Sequence, residues 1–248
     1  MDRTVESRKR FPRGLEQPRE GYRFSADSLL LACYPKLKRS WRVLDLGTGC
    51  GAVGLGLLLR RDQNGTCVLG VERDPRLVQA AGNNAEKLGL QERFGVLQLD
   101  VRELRNSPET GPESFDMVVA NPPYRSRGSG RECRLEGETV ARFEANTGLE
   151  EFVRAGAYSL KNRRKLVIIY LAERLVHLFR VLVGHRLEPE RMRLIHGVQG
   201  RRARLVLVEA RKNGRAGLEI EPPLTLYRAL GDRMVLTDEA SSFCPFLR

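Results

Sequence analysis

One stretch of the chain, RVLDLGTGCGAVGLGLLLRR (42–61), limits the possible folds more than any other. A short apolar strand runs straight into a turn with glycines at 47, 49, 51 and 54, and the turn opens an apolar helical run. Glycine admits positive φ and lets backbone amides approach a neighbour with no Cβ between them. The strand–turn–helix pattern then repeats. CVLGVER (67–73) is a second strand, and DPRLVQAAGNNAEKLGL (74–90) is a helix with Asp74 as N-cap and Pro75 in the first helical position. RFGVLQLD (93–100) and FDMVVAN (115–121) are the third and fourth strands. LEEFVRAGAYSL (149–160) is helical, KLVIIYL (165–171) is a fifth strand, and AERLVHLFRVLVGHRL (172–187) is an amphipathic helix. RMRLIHG (191–197) and RARLVLVEARK (202–212) make a closing hairpin. Such alternation predicts an α/β domain with a parallel sheet covered on both faces. In open sheets of that kind ligands sit beyond the carboxyl ends of the strands. Those ends are residues 47–51, Glu72, Asp100 and residues 121–124, which should therefore share one crevice.

At 248 residues with 41% hydrophobic content, the chain can bury a substantial core. The alternation runs through residues 24–248, read as a single domain. Residues 1–23 read as a basic N-terminal arm, mobile or clinging to the surface. Lys and Arg number 43 against 31 Asp and Glu, a formal net charge of +12. That surplus favours a polyanionic partner, nucleic acid before an anionic membrane. Cys33, Cys50, Cys67, Cys133 and Cys244 are scattered, and His177, His185 and His196 show no ligand spacing. No metal site is therefore expected, and free thiols point to a reducing compartment. The N-terminus lacks an apolar targeting region and no apolar run approaches about 18 residues. The expectation is a cytoplasmic protein with no membrane span.

The turn DLGTGCGAVG (45–54) contains the spacing GxGxxG at Gly49, Gly51 and Gly54. Glu72, at the end of the next strand, can accept protons from two ribose hydroxyls. Together they indicate an adenosine-type ligand, with Asp45, Gly47, Thr48, Gly49, Gly51 and Glu72 as candidate binding residues. A nicotinamide dinucleotide needs amides aimed at a pyrophosphate. S-adenosylmethionine instead needs an acidic neighbour for its amine, and Asp45 suits it. Asp100 either accepts from an adenine amino group or is an ordinary helix N-cap.

The fourth strand ends on Asn121, Pro122, Pro123 and Tyr124. An exocyclic amino nitrogen gives its lone pair to its ring and is a poor nucleophile. Two acceptors aimed at its hydrogens draw it toward tetrahedral geometry; the Asn121 side-chain carbonyl and the Pro122 backbone carbonyl are the candidates. Proline fixes the direction of the neighbouring carbonyls. Tyr124 would stack on a flat substrate, a contact of about 1–3 kcal/mol. A sulfonium methyl is already activated, so positioning carries the rate and no catalytic His or Cys is needed.

With DLGTGCGAVGL, Glu72, Asp100 and NPPY in this order, the chain resembles the class I S-adenosylmethionine-dependent methyltransferases that act on amino nitrogens. GYRFSADSLLLA (21–32), ARFE (141–144) and PPLTLY (222–227) resemble, more narrowly, the bacterial tRNA adenine-N6 methyltransferases that modify the adenine beside the anticodon of a valine tRNA. The resemblance implies a Rossmann-like, mostly parallel seven-stranded sheet. It also implies S-adenosylmethionine beside Gly47, Gly49 and Glu72, catalysis at residues 121–124, and cofactor contacts from Ser25 and Asp27. That family often has His where this chain has Phe143.

Arg125, Arg127, Arg131 and Arg134 follow the tetrapeptide directly and are candidates, with the N-terminal arm, to grip RNA phosphates around a flipped base. KNRRK (161–165), read as a turn, and residues 201–204 are further basic clusters. The rival readings are a protein glutamine-N5 methyltransferase acting on release factors, a DNA adenine-N6 methyltransferase, and a nucleic-acid-binding protein with a dead cofactor site. The first would carry a helical domain before the sheet and the second a large recognition domain, and neither is expected here. Intact Asp45, Gly47, Gly49, Glu72 and Asn121 oppose the third.

Overall fold

The computed structural model of the protein describes residues 3–18, 23–60, 65–124, 137–231 and 233–248, and of Arg3 and residues 137–147 the backbone alone. Strands β1 (Arg42–Leu46), β2 (Cys67–Glu72), β3 (Phe94–Gln98), β4 (Phe115–Ala120) and β5 (Leu160–Leu171) are parallel neighbours in the spatial order β3-β2-β1-β4-β5. The closing hairpin is β6 (Leu187–Val198) and β7 (Ala203–Lys212), with β7 antiparallel to both β5 and β6. Beyond it β8 (Glu219–Ile220) and β9 (Leu224–Leu230) pair parallel to β6, and β10 (Arg233–Leu236) pairs antiparallel to β9. The sheet thus has ten strands among the described residues, not seven. The added strands are short and largely solvent-facing, so no apolar run marks them in the sequence.

Successive residues of the central strands face opposite sides. Val43, Val119 and Val167 meet α2 (Ala26–Cys33), α3 (Ala52–Leu59), α4 (Pro75–Lys87) and α7 (Asp238–Phe243). Leu44, Val118 and Ile168 meet α5 (Gly137–Ser159) and α6 (Leu175–Gly184). Helices therefore cover both faces. Asp74 caps α4 by accepting from the Arg76 amide at 3.0 Å, with Pro75 next. Cys33 and Cys244, both buried thiols, touch at 3.2 Å and hold the end of the chain against α2. Cys133 lies outside the described residues.

Part of the N-terminal arm lies on the domain. Its helix α1 (Arg3–Arg10) sits beside α4, where Arg8 donates to the Leu88 and Gly89 carbonyls at 2.8 and 3.0 Å. Phe11 is buried edge-on against Phe246.

KNRRK is not a turn but the first part of β5. Its register against β4 shifts between Phe115 and Met117, and Arg163 takes φ +62°. Lys161 and Arg164 pair with Asp116 at 3.1 and 3.3 Å. Lys165 pairs with Glu190 at 3.3 Å and with Glu209. Most of this basic run is satisfied within the fold.

The Lys165 pair belongs to a network that locks the hairpin to the sheet. Glu209, 2% exposed on β7, accepts from Arg191 of β6 at 2.7 Å. Arg191 also reaches Glu221 at 2.7 Å and the Tyr34 carbonyl at 3.2 Å, and lies 4.0 Å over the Tyr34 ring. Burial acts to raise the Glu209 carboxyl, but hydrogen bonds from Arg191 and Lys165 outweigh it and hold the group below its ordinary value. A carboxyl lowered in this way contributes stability that is present above its unfolded value and lost as pH falls through the folded one. Removing Glu209 takes the most buried carboxylate from both cations and leaves Arg191 only Glu221 and Lys165 only Glu190, so Glu209→Ala is expected to cost about 3 kcal/mol in urea unfolding at neutral pH. The difference from the parent should shrink in acid. A variant that loses nothing at neutral pH would show the network to be idle.

Candidate active site

Strand register sets the site. Leu46 of β1 pairs with Ala120 of β4, so Gly47 and Asn121 leave the sheet side by side. One small cleft follows, lined by Phe24, Ser28, residues 47–50 and Asn121. The glycine turn and the tetrapeptide, read separately in the sequence, open into the same space. Gly49 takes φ +58°, and a Cβ there would meet nothing within 4 Å, so the turn presents bare backbone to an open space. Gly54 answers a different need: a Cβ would fall 2.6 Å from Phe94 and 2.9 Å from Val68. Gly51, at φ +87°, begins α3.

Glu72 stands at the end of β2 beside the turn. One oxygen accepts from the Gly49 amide at 3.1 Å and the other from the Asp74 amide at 2.9 Å. A carboxylate has about four acceptor sites, which leaves two for ribose hydroxyls. Backbone opened to the cleft and a held carboxylate beside it fit a nucleoside. Asp100 behaves as an N-cap. It accepts from the Arg102 amide at 2.9 Å and takes the Arg102 guanidinium on both oxygens at 2.9 and 2.8 Å. Those bonds, helped by Arg73 at 3.7 Å, hold its carboxyl below the ordinary range.

Asn121 is fixed from two directions. Its Nδ2 donates to Ser28 Oγ at 3.2 Å, and its Oδ1 accepts from the Tyr124 hydroxyl at 2.8 Å. Pro122 is buried and Pro123 exposed. The Tyr124 ring meets Tyr170 edge-on, with centroids 5.7 Å apart. Ser25 is the exposed N-cap of α2 and makes no side-chain cap bond, and Asp27 is half-buried in the first turn. Neither lines the cleft; Phe24 and Ser28 do. Ser28 could have been read from the sequence as the polar residue just before LLLA on an apolar helix, one turn after Ser25. Arg125, Arg127, Arg131 and Arg134, and the side chain of Phe143, lie outside the described residues. Among the described residues no group of three His, Cys, Asp or Glu could hold a metal ion, and no helix is long and apolar enough to cross a membrane.

Asp45, 1% exposed, ties the turn together from beneath. Its Oδ2 accepts from Thr48 Oγ1 at 2.6 Å and from the Gly54 amide at 3.0 Å. Burial pushes its pKa up from 3.8 to about 7, against those two bonds and with the Glu72 charge adding to the rise. The folded chain keeps this proton to higher pH than the unfolded chain. Its contribution is therefore complete below 3.8 and is lost as pH rises through about 7. Asp45→Asn keeps an acceptor for Thr48 and Gly54 but cannot ionise. Between about pH 5 and about pH 8 the melting temperature of the parent should fall more than that of the variant. Parallel curves would mean the carboxyl is charged throughout.

Residues 25–142 match the family model of the methyltransferase small domain. The chain is 32% identical over 126 residues to the tRNA1(Val) (adenine(37)-N6)-methyltransferase of Haemophilus influenzae strain PittGG, covering 50% of this chain and 51% of that one. It is 34% identical over 119 residues to the enzyme of the same name from Actinobacillus succinogenes, covering 48% of each. The match spans about half the length of these curated relatives. The crystal structure of a predicted O-methyltransferase from Agrobacterium tumefaciens superposes with a TM-score of 0.71 at 23% identity, over 89% of this chain and 96% of that one. At that identity the likeness shows the fold alone. Residues 25–142 thus resemble the methyltransferase small domain, within a chain that shares the Rossmann-like fold of the Agrobacterium protein.

Proposed function

We propose that this chain is a cytoplasmic S-adenosylmethionine-dependent methyltransferase that methylates the exocyclic N6 of adenine in a tRNA. The observation that carries the reading is the single cleft in which Gly47, Gly49 and Asn121 meet. The names of the relatives at 32% and 34% identity support the substrate class.

S-adenosylmethionine, when bound, supplies an electrophilic methyl group. In the proposal Glu72 holds the ribose, the amides of residues 47–51 face the ligand, and Asp45 keeps the turn in shape. Asn121 Oδ1 and the Pro122 carbonyl accept from the two amino hydrogens of the adenine and direct the nitrogen lone pair along the transfer path. Ser28 is a positioning residue: its hydroxyl takes the Asn121 Nδ2 hydrogen and leaves Oδ1 aimed at the substrate. The Tyr124 hydroxyl occupies one of the two acceptor sites of Oδ1 in this structure; in the proposal it gives up that bond when the base arrives, leaving its ring free to stack. The arginines that follow Tyr124 in the sequence are the proposed grip on flanking phosphates.

Asn121→Ala should lower transfer at least about a hundredfold, as losing an oriented polar group at a reacting centre does. Its dissociation constant for S-adenosylmethionine should stay within about threefold of the parent value. Ser28→Ala should lower kcat about five- to tenfold with KM for tRNA unchanged, and Ser28→Thr should restore part of it. A rise in KM alone would make Ser28 a binding residue instead. The substrate is tested by offering unmodified tRNA and a release factor together with labelled S-adenosylmethionine. Label recovered as N6-methyladenine is expected; label confined to protein would transfer the site to glutamine amides.

A further inference from the structure

The strand next to β4 ends in a second group of polar side chains that the proposed chemistry does not use. Tyr170 closes the buried part of β5, and its residue is 0% exposed. Arg174 is the N-cap residue of α6, a ten-residue helix, and His177 lies three positions on, in the first turn of that helix. The Tyr170 hydroxyl, Arg174 Nη1 and His177 Nε2 are all buried with no hydrogen-bond partner. They are three of the five such side-chain atoms among the described residues. Among the described residues Arg174 takes part in no ion pair, although most buried or half-buried arginines elsewhere in the fold meet a carboxylate or a carbonyl. The Tyr170 hydroxyl lies beside this guanidinium: burial raises its pKa, and the hydrogen-bonding and charge of Arg174 work against the rise, although the pair misses full hydrogen-bond geometry.

A phenol, a guanidinium and an imidazole all offer hydrogens, and the amino-terminal pole of α6 adds positive potential. Among the described residues no carboxylate answers them. Buried donors are paired in folded proteins as a rule, so three left open together mark a place made for an acceptor that comes from outside. An oxyanion with several acceptor oxygens is the matching chemistry, and arginine at a helix amino terminus is a common way to hold one. We propose that Tyr170, Arg174 and His177 form a pocket for a backbone phosphate of the RNA next to the target adenosine. The proposal rests on the RNA reading above and places the phosphate on the β5 side of Asn121. Tyr124 links the two sites: it holds Asn121 Oδ1 with its hydroxyl and packs edge-on against Tyr170 with its ring. The movement that frees Asn121 for a base also takes Tyr124 off Tyr170.

The test uses the full chain and the variant Arg174→Met, which keeps the stem and removes the charge. Affinity for an unmodified tRNA transcript is measured over a salt series, with S-adenosylmethionine affinity and melting temperature measured alongside, with and without inorganic phosphate. The variant should bind tRNA roughly tenfold more weakly. Its log–log salt slope should be shallower by about 0.7, one phosphate contact on a single strand. S-adenosylmethionine affinity should be unchanged, and the melting temperature equal to or above that of the parent, because an unpartnered donor has been removed. Phosphate should raise the melting temperature of the parent more than that of the variant. Tyr170→Phe, a change of one oxygen, should shift tRNA affinity in the same direction by less and decides the matter if Arg174→Met does not fold. Unchanged tRNA affinity and slope, or a lowered melting temperature with tRNA affinity intact, would overturn the pocket and make Arg174 structural. A phosphate response that depends on Arg174 in a protein that binds no tRNA would keep the anion site and remove the RNA reading instead.

Discussion

Everything the candidate site can do depends on the parallel pairing of β1 with β4. Val43, Leu44, Asp45 and Leu46 lie opposite Met117, Val118, Val119 and Ala120, and the two strands end in step. Parallel neighbours run about 4.8 Å apart, so the first residue after each strand emerges within reach of one small ligand. Gly47 and Asn121 are those residues. A slip of one position would turn the core faces of both strands to the wrong side, so hydrophobic alternation holds the chemistry in register. Val43 and Val119 facing one helical layer, with Leu44 and Val118 facing the other, is thus also a statement about where Asn121 points.

The two carboxylates around the turn have separate tasks. Asp45 points into the protein and is bonded twice on a single oxygen, so its burial cost is spent on the shape of the turn. Glu72 stands at the rim and takes one backbone amide on each oxygen, which fixes its plane. An acidic residue just before a glycine turn and another at the next strand end look alike in a sequence. Depth separates them, since only the rim carboxylate keeps acceptor sites turned toward a ligand.

What the sequence made legible follows from how strongly burial writes into it. The strands β1 to β4 and the capped helix α4 are apolar runs bounded by glycine, proline or Asp74, and their positions can be read almost to the residue. The hairpin β6–β7 could be read for the same reason. Strands β8 to β10 lie at a solvent-facing edge and leave no such trace. The basic run at 161–165 looked like a turn because charges usually lie outside. Here Asp116, Glu190 and Glu209 come from other strands to meet it, and pairing across 25 to 48 residues has no local signature. Ser25 lies one helical turn before Ser28, which lines the cleft, and Asp27 immediately precedes Ser28. The sequence around Asp100 suits a cap and a ligand contact equally, and the structure shows the cap, with Arg102 on both its oxygens.

The order of the strand ends gives the proposed reaction its direction. Across the sheet the order β5-β4-β1-β2-β3 brings Tyr170, Asn121, Gly47, Glu72 and Asp100 into one row. Four strand spacings make that row about 19 Å long, the scale of a nucleotide laid beside a nucleoside. Glu72 and Asn121 stand on opposite sides of the glycine turn. A nucleoside held by its ribose at Glu72 must therefore send its other end toward β4, where the amine acceptors are. In the proposal the nucleoside fills the β2 side, so the backbone of a polynucleotide whose base enters at Asn121 passes on the β5 side, where the described residues keep three buried polar groups without a partner. Exchange any two of these strands and the same residues would no longer form the continuous path that the proposal needs.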